Sequence, residues 1–349
     1  MLGRLDADAS VLRDRLQVLN RQMTTGRRTE AAGDIAPALP RTQALRAEMS
    51  RRDAYGEAIG QALDRAGAAQ TTLKRLGEIA REFADDVAMK LDPRDAQSLP
   101  LYASRARQAM VEVGRLLNAQ QGGEYLFGGS DFANPPVPDP EGLPSGGMAS
   151  GIAAAIAGLG GGTAAAVAAA TKAAAESDAP GVTPFSAFAA GPGLGEPRRS
   201  VPAGDGVLEA YGLFANRNAQ AVSQGPETTG SWARDLLRGL ASISALTPDS
   251  AADPADFRAL ADSIRGGLES ASGALAEEQG ALGLTEARLT AARDRNGQMR
   301  DALQGQLAGL EEVDLAQTIT RLQSTRSVLE ASYTAIGRIG GLSLTQFLR

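Results

Sequence analysis

Apolar residues recur in alternating steps of four and three along most of this chain, and that spacing decides what it can fold into. From Leu5 to Met23 they fall at Leu5, Ala9, Leu12, Leu16, Leu19 and Met23. Such steps keep every apolar side chain on one narrow stripe of a helix, the seam of a coiled coil. The stripe resumes at Tyr55, Ile59, Ala62, Ala66, Ala69, Leu73, Leu76, Ala80, Phe83 and Val87. A long second helix follows, with its start expected near Leu45. Asp92-Pro93 and Ser98 with Pro100 read as helix starts, because a short polar side chain caps free N–H groups and proline fits the first turn. Leu99, Ala103, Ala106, Met110, Val113, Leu117 and Gln120 then carry a third helix to Gly122-Gly123.

The longest periodic stretch opens at Asp253-Pro254. It holds Ile264, Leu268, Ala271, Leu275, Leu282, Leu289, Ala292, Met299, Leu303, Leu310 and Val313 on one heptad frame. A second frame takes over at Leu315, Ile319, Leu322, Leu329, Tyr333 and Ile336, offset by two residues. The buried stripe must rotate there, which predicts a border at Glu311 to Asp314.

Between these helices lie two stretches of another kind. Gly26 to Pro40 contains two Gly and two Pro and predicts a non-helical connector. From Asp131 to about Gly230 the pattern gives way to Pro, Gly, Ala and Ser, expected to be a surface-exposed insert. The fold class expected is mainly α: an elongated bundle of long N- and C-terminal helices with a small irregular, β-containing central insert. The chain divides accordingly into 1–38 (terminal coiled coil and connector), 39–130 (N-terminal core helices), 131–232 (insert), 233–312 (C-terminal core helix) and 313–349 (terminal coiled coil). The first helix should pair with the last, and the second and third with the segment from Asp253.

Composition narrows the function. The 349 residues include no His and no Cys, which removes imidazole bases, thiolate nucleophiles, disulfides and nearly all zinc or haem ligation. No catalytic residue, cofactor or metal site is expected, and the chain reads as a non-enzyme. Net charge is −6 with Arg scattered among acids, so neither nucleic acid nor a membrane surface is an expected partner. Met1 to Leu16 has no apolar core of a cleaved signal peptide. Ala149 to Ala170 is uncharged and long enough to span a bilayer, but Gly160-Gly161-Gly162 and a shortage of large aliphatics argue against insertion. The same glycines lack the Lys-Ser/Thr of a phosphate loop. Arg198-Arg199 reads as a solvated turn, and Tyr125 and Phe127 as packing at a helix-end turn.

Four segments resemble a known family. LNRQMTTGRRTEAAGDIA near the N-terminus places Gly26 and Asp34 in its turn and loop; LLNAQQGGEYLFGGSDFANPP (116–136) has its Asn and Tyr-Leu-Phe-Gly-Gly turn. YGLFANRNA (211–219) is similar to the segment before its C-terminal helices, and the final VDLAQTITRLQSTRSVLEASYTAIGRIGGLSLTQFLR is the strongest likeness. The chain resembles the bacterial flagellin and hook-associated protein family, nearest to its hook-filament junction members through Leu342, Ser343, Leu344, Phe347 and Leu348. One departure is that the first seam begins almost at Met1, where family members carry further residues.

The resemblance implies an extracellular structural subunit of the flagellum, joining hook to filament, exported by the flagellar type III route without a cleaved signal. Its partners would be further copies of itself, neighbouring hook-associated protein and flagellin subunits, and an export chaperone before secretion. A filament-forming flagellin is the alternative, and a cytosolic coiled-coil scaffold a second one. The assembly interface is expected at Leu12, Leu16, Leu19, Met23, Leu315, Ile319, Leu322, Leu329, Tyr333, Ile336, Leu342, Leu344, Phe347 and Leu348. The same seams also suit a purely intramolecular bundle.

Overall fold

The computed structural model describes residues 2–28 and 39–347, with the backbone alone at 2, 3, 5 and 339–347. The fold is mainly α. In chain order it comprises α1 (Leu2–Thr25), α2 (Leu39–Lys90), a 3-10 turn (Pro93–Ser98), α3 (Leu99–Leu117), β1 (Gln120–Gln121), β2 (Glu124–Tyr125), α4 (Gly147–Ile156) and α5 (Ala164–Glu176). Then follow β3 (Ser200–Gly204), β4 (Val207–Ala210), α6 (Trp232–Ser244), α7 (Pro254–Glu311) and α8 (Leu315–Phe347). Two compact units form, 55–294 and 1–54 with 295–349. Helices α2 and α7 contribute residues to both.

In the unit 55–294 the heptad stripes form the core as their spacing predicts. Ile59, Leu73, Leu76, Ala80, Leu268, Leu275 and Leu289 are all buried. Gln70 Nε2 donates to the Gln279 carbonyl at 2.8 Å and Gly77 faces Leu275, so α2 and α7 run antiparallel. Helix α3 lies antiparallel to α2, held by Arg75 to Glu112 at 2.7 Å and Arg105 to Asp86 at 2.6 Å.

Helix boundaries follow local chemistry. Asp253 opens α7 as expected, its Oδ1 accepting the Ala255 N–H at 3.0 Å. Asp92 caps the 3-10 turn through the Arg94 N–H. Ser98 does not cap α3; its hydroxyl turns back to the Asp95 carbonyl. The third helix also stops earlier than the heptad count suggests. Gln120 lies in β1, paired with Tyr125, because Gly122 and Gly123 both take positive φ and turn the chain into a hairpin. Helix α2 begins at Leu39, before the expected Leu45, with Pro40 in its first turn.

The expectation of a surface-exposed insert does not hold. Its large apolar residues are few, but they are spaced for burial: Met148, Ile152 and Ile156 share one face of α4, and Val167 and Ala175 one face of α5. With Val137, Leu143 and Phe185 they join the same core as α2, α3 and α7. Small residues let backbones close in; a side chain at Gly147 would strike the Gly181 carbonyl. The glycine cluster has a structural role. Gly161 N donates to Asp253 Oδ2 at 3.1 Å and Gly162 N to Asp256 Oδ2 at 2.8 Å, which ties the α4–α5 loop to the start of α7. The backbone N–H groups of Asp256, Gly161 and Ala255 hold the Asp253 carboxyl below its ordinary range, that of Asp256 contributing most. Among the described residues no helix is long and apolar enough to cross a membrane.

Helix α6 is buried on all sides, charged residues included. Arg238 donates to Thr171 Oγ1 at 3.1 Å, the Ala168 carbonyl at 3.0 Å and the Glu227 carbonyl at 2.7 Å. Arg234 reaches Asn216 Oδ1 at 2.6 Å and the Ala175 carbonyl at 2.7 Å, and pairs with Asp178. Both arginines thereby satisfy carbonyls of α5, which is how a guanidinium tolerates burial. Asp235 accepts from Thr228 and Thr229, yet desolvation raises its pKa above the usual carboxylate range. The 211–219 segment cradles this helix: Asn218 Oδ1 accepts the Trp232 N–H at 2.9 Å. Glu278 on α7 takes the N–H groups of Ala219, Gln220 and Ala221 on one oxygen. Arg198 and Arg199 are half-buried, not a solvated turn; Arg198 donates to the Gly212 carbonyl at 2.9 Å and Arg199 to Glu124 at 2.7 Å.

Candidate functional site

The sequence places the functional residues on the terminal helices, and these form the second unit, 1–54 with 295–349. Helices α1 and α8 pair with each other. Val313 N donates to the Gly26 carbonyl at 2.9 Å, while the Arg13 guanidinium lies over the Tyr333 ring, 5.9 Å from its centre. One end of α1 therefore meets the start of α8 and the other its later turns, an antiparallel arrangement.

The seam between them is narrower than the sequence stripe. Ala9 and Leu19 on α1 and Leu329 on α8 are buried, and Leu12, Leu16, Leu322 and Ile336 are half-buried. Thr318 and Thr325 are buried with them although polar. Each hydroxyl donates to the carbonyl four residues earlier, Asp314 at 2.8 Å and Arg321 at 2.7 Å, which removes the cost of burying it. Periodicity counted only apolar residues and missed these two threonines, which continue the same frame as Leu322 and Leu329.

The remaining sequence-predicted residues are not brought into the seam. Met23 is 41%, Leu315 49%, Ile319 42% and Tyr333 45% exposed. The side chains of Leu342, Leu344 and Phe347, and all of Leu348, lie outside the described residues, as does Asp34. Three further exposed apolar residues were not singled out by the heptad count: Val11, Val18 and Val328. At about 100° per residue, Val11 and Val18 share one flank of the pair with Val328. Ile319 and Tyr333 stand on the opposite flank, beside Arg13. The signal for the valines was their own seven-residue spacing off the main stripe.

Where α7 ends and α8 begins, the frame shift read from the sequence coincides with a break in the helix. Helix α7 stops at Glu311, and Asp314 starts α8 by accepting the Gln317 N–H at 3.1 Å. The compact units, however, divide at 294 and 295 rather than at this break. The stripe on the last turns of α7 also departs from the single frame: Met299 is exposed, whereas Asn296 and Leu307 are buried. Asn296 is drawn inward by Arg52, whose Nη1 donates to its Oδ1 at 3.3 Å.

The arrangement is a two-helix pair with apolar residues on both flanks. It supplies surface for packing. Residues 266–348 match the family model of the bacterial flagellin C-terminal helical region. No curated protein matches the chain. The matched stretch contains α8, one of the two helices that carry the candidate surface, and most of α7, and it supports the bacterial flagellin family and, with it, a flagellar structural subunit.

Proposed function

We propose that this chain joins hook to filament, polymerising through its terminal helices with copies of itself and with neighbouring hook-associated protein and flagellin subunits. The observation that carries the reading is the uncovered apolar surface on both flanks of the α1–α8 pair. Fully burying a large aliphatic side chain is worth roughly 1.5–3 kcal/mol, so covering the exposed half of one contributes about 1 kcal/mol. Association itself costs on the order of 4–15 kcal/mol. A single contact through one such flank is weak, and a subunit gripped by several neighbours is stable.

The two flanks are unlike, one of valines and the other of Ile319 and Tyr333. Unlike faces favour a head-to-tail contact, which repeats into an open helical array instead of closing as a symmetric dimer. Export by the flagellar route, with a chaperone covering the terminal helices beforehand, belongs to the same reading. The junction role rests on the Leu342 to Leu348 ending; a filament-forming flagellin is the second reading and rests on the matched C-terminal region. Labelling the chain in isolated flagella separates them. A thin band at the hook end is expected, labelling along the whole filament favours the second reading, and absence from flagella rejects both.

A further inference from the structure

The seam of α1 and α8 is repetitive. Leu12 and Leu19 are one heptad apart, as are Leu322, Leu329 and Ile336, and Thr318 and Thr325. Sliding one helix by seven residues, about 10 Å at 1.5 Å per residue, puts a chemically similar side chain opposite each partner. Apolar packing alone therefore specifies the register of this pair poorly.

Something else selects it. Helix α1 ends at Gly26, whose N–H donates to the Gln22 carbonyl at 2.9 Å with φ at +69°, a left-handed helix stop. The chain then runs beside the α7–α8 break. Val313 N donates to the Gly26 carbonyl at 2.9 Å, and Arg28 N donates to the Glu311 carbonyl at 2.8 Å. Arg28 Nε adds a bond to the Glu312 carbonyl at 3.0 Å, and Gln22 Nε2 closes over the Arg28 carbonyl at 2.7 Å. Glu311 is in turn held by Arg46 at 2.7 Å. Two of these bonds, Val313 N to the Gly26 carbonyl and Arg28 N to the Glu311 carbonyl, join backbone groups at fixed chain positions, which meet in one register only.

We propose that the Gly26–Arg28 and Glu311–Val313 segments form a register latch, which sets how α1 and α8 align and so assembles the two flanks of the assembly surface. Val11 and Val18 come from α1 and Val328 from α8, so the register sets where along their common flank Val328 stands relative to the two α1 valines. The inference rests on the terminal pair being the assembly surface for its purpose, though not for its geometry.

Gly26 makes a clean probe. A Cβ added there meets nothing within 4 Å, so a substitution acts through the left-handed backbone alone. The chain has no cysteine, so introduced pairs report position without interference. Asn20→Cys combined with Gln323→Cys reads the latched register, and Asn20→Cys with Glu330→Cys or Ala316→Cys reads a slip of one heptad either way; all four sites are exposed.

In the full-length chain, a short bismaleimide should link 20 to 323. Gly26→Val should raise the 20–330 or 20–316 product roughly tenfold relative to 20–323, the effect of losing one or two hydrogen bonds. Gly26→Asn, which tolerates positive φ, should restore the original pattern. Hydrogen exchange in 55–294 should be the same in all variants, which separates a slipped pair from a misfolded chain. An unchanged 20–323 preference in Gly26→Val overturns the latch, as does off-register linking without the substitution. Failure to polymerise with the 20–323 link intact counts against the assembly reading instead.

Discussion

The ring of Phe127 meets the indole of Trp232 edge-on, with centroids 6.3 Å apart and planes at 71°. Both are almost fully buried, and they join the turn after β2 to the first residue of α6. Trp232 is the single tryptophan, so its emission reports this contact. Phe127→Ala should destabilise the unit 55–294 by about 3–5 kcal/mol and shift tryptophan emission to the red. Urea unfolding followed by fluorescence measures both, and an unshifted spectrum contradicts the packing.

Arg238 is buried and satisfies two carbonyls and the Thr171 hydroxyl. Removing it leaves the Glu227 carbonyl without this donor and the Glu227 carboxylate without its counter-charge, so Arg238→Met should cost roughly 3–5 kcal/mol. Lysine brings one charge but not the planar fork, and Arg238→Lys should recover less than half of the loss. Equilibrium denaturation of the three proteins decides it.

Asp235 titrates above its ordinary range because burial penalises its carboxylate. In the unfolded chain it ionises first as pH rises, and the folded state holds the extra proton. Stability from this group is therefore full below the ordinary carboxylate value and is lost as pH rises through the raised folded one. Compared with Asp235→Asn, the natural protein should gain stability on acidification across that window. Urea midpoints over a pH series, taken as the difference between the two proteins, should slope downward with pH; a flat difference rejects the shift.

Asp253 behaves in the opposite sense, its folded pKa being held low by backbone N–H groups of Asp256, Gly161 and Ala255. Its contribution is present above the ordinary carboxylate value and disappears as pH falls through the lowered one. Asp253→Ala should speed hydrogen exchange at Gly161, Ala255 and Asp256 at neutral pH, with little change in the middle of α7. Unaltered exchange at Gly161 would show that the loop is held by other means.

The unlike flanks of the terminal pair give a mixing test. Ile319→Glu and Val18→Glu should each abolish polymerisation, while thermal unfolding of 55–294 stays unchanged. Mixed together, each retains the flank the other lacks, so they should form only weak heterodimers, seen at high concentration, and no longer species. Light scattering and electron microscopy read the outcome. Polymers from either variant alone would remove these flanks from the interface.

Much of this protein is written in its residue order. Steps of four and three from Tyr55 to Val87 and from Ile264 to Ala292 located the buried stripes of α2 and α7, because a helix repeats its face with a nearly constant period. Asp253-Pro254 marked the start of α7, and the frame change after Val313 marked a true helix break, both being local effects of caps and periodicity. The terminal pairing of α1 with α8 and most of its seam were legible for the same reason.

What only the tertiary structure decided depended on partners distant in the chain. Composition made 131–232 look like surface, yet Ile152, Ile156 and Val167 are core because other helices close over them. Arg234 and Arg238 read as polar positions and are buried, since the carbonyls that receive them lie on α5, some sixty to seventy residues away in sequence. Heptad spacing placed Ile319 and Tyr333 in the same stripe as Leu322 and Leu329. A pair of helices has only one shared seam, so it leaves the edge of a broad stripe open to solvent. Periodicity reports which residues seek burial, and geometry alone determines which of them the chain can bury by itself.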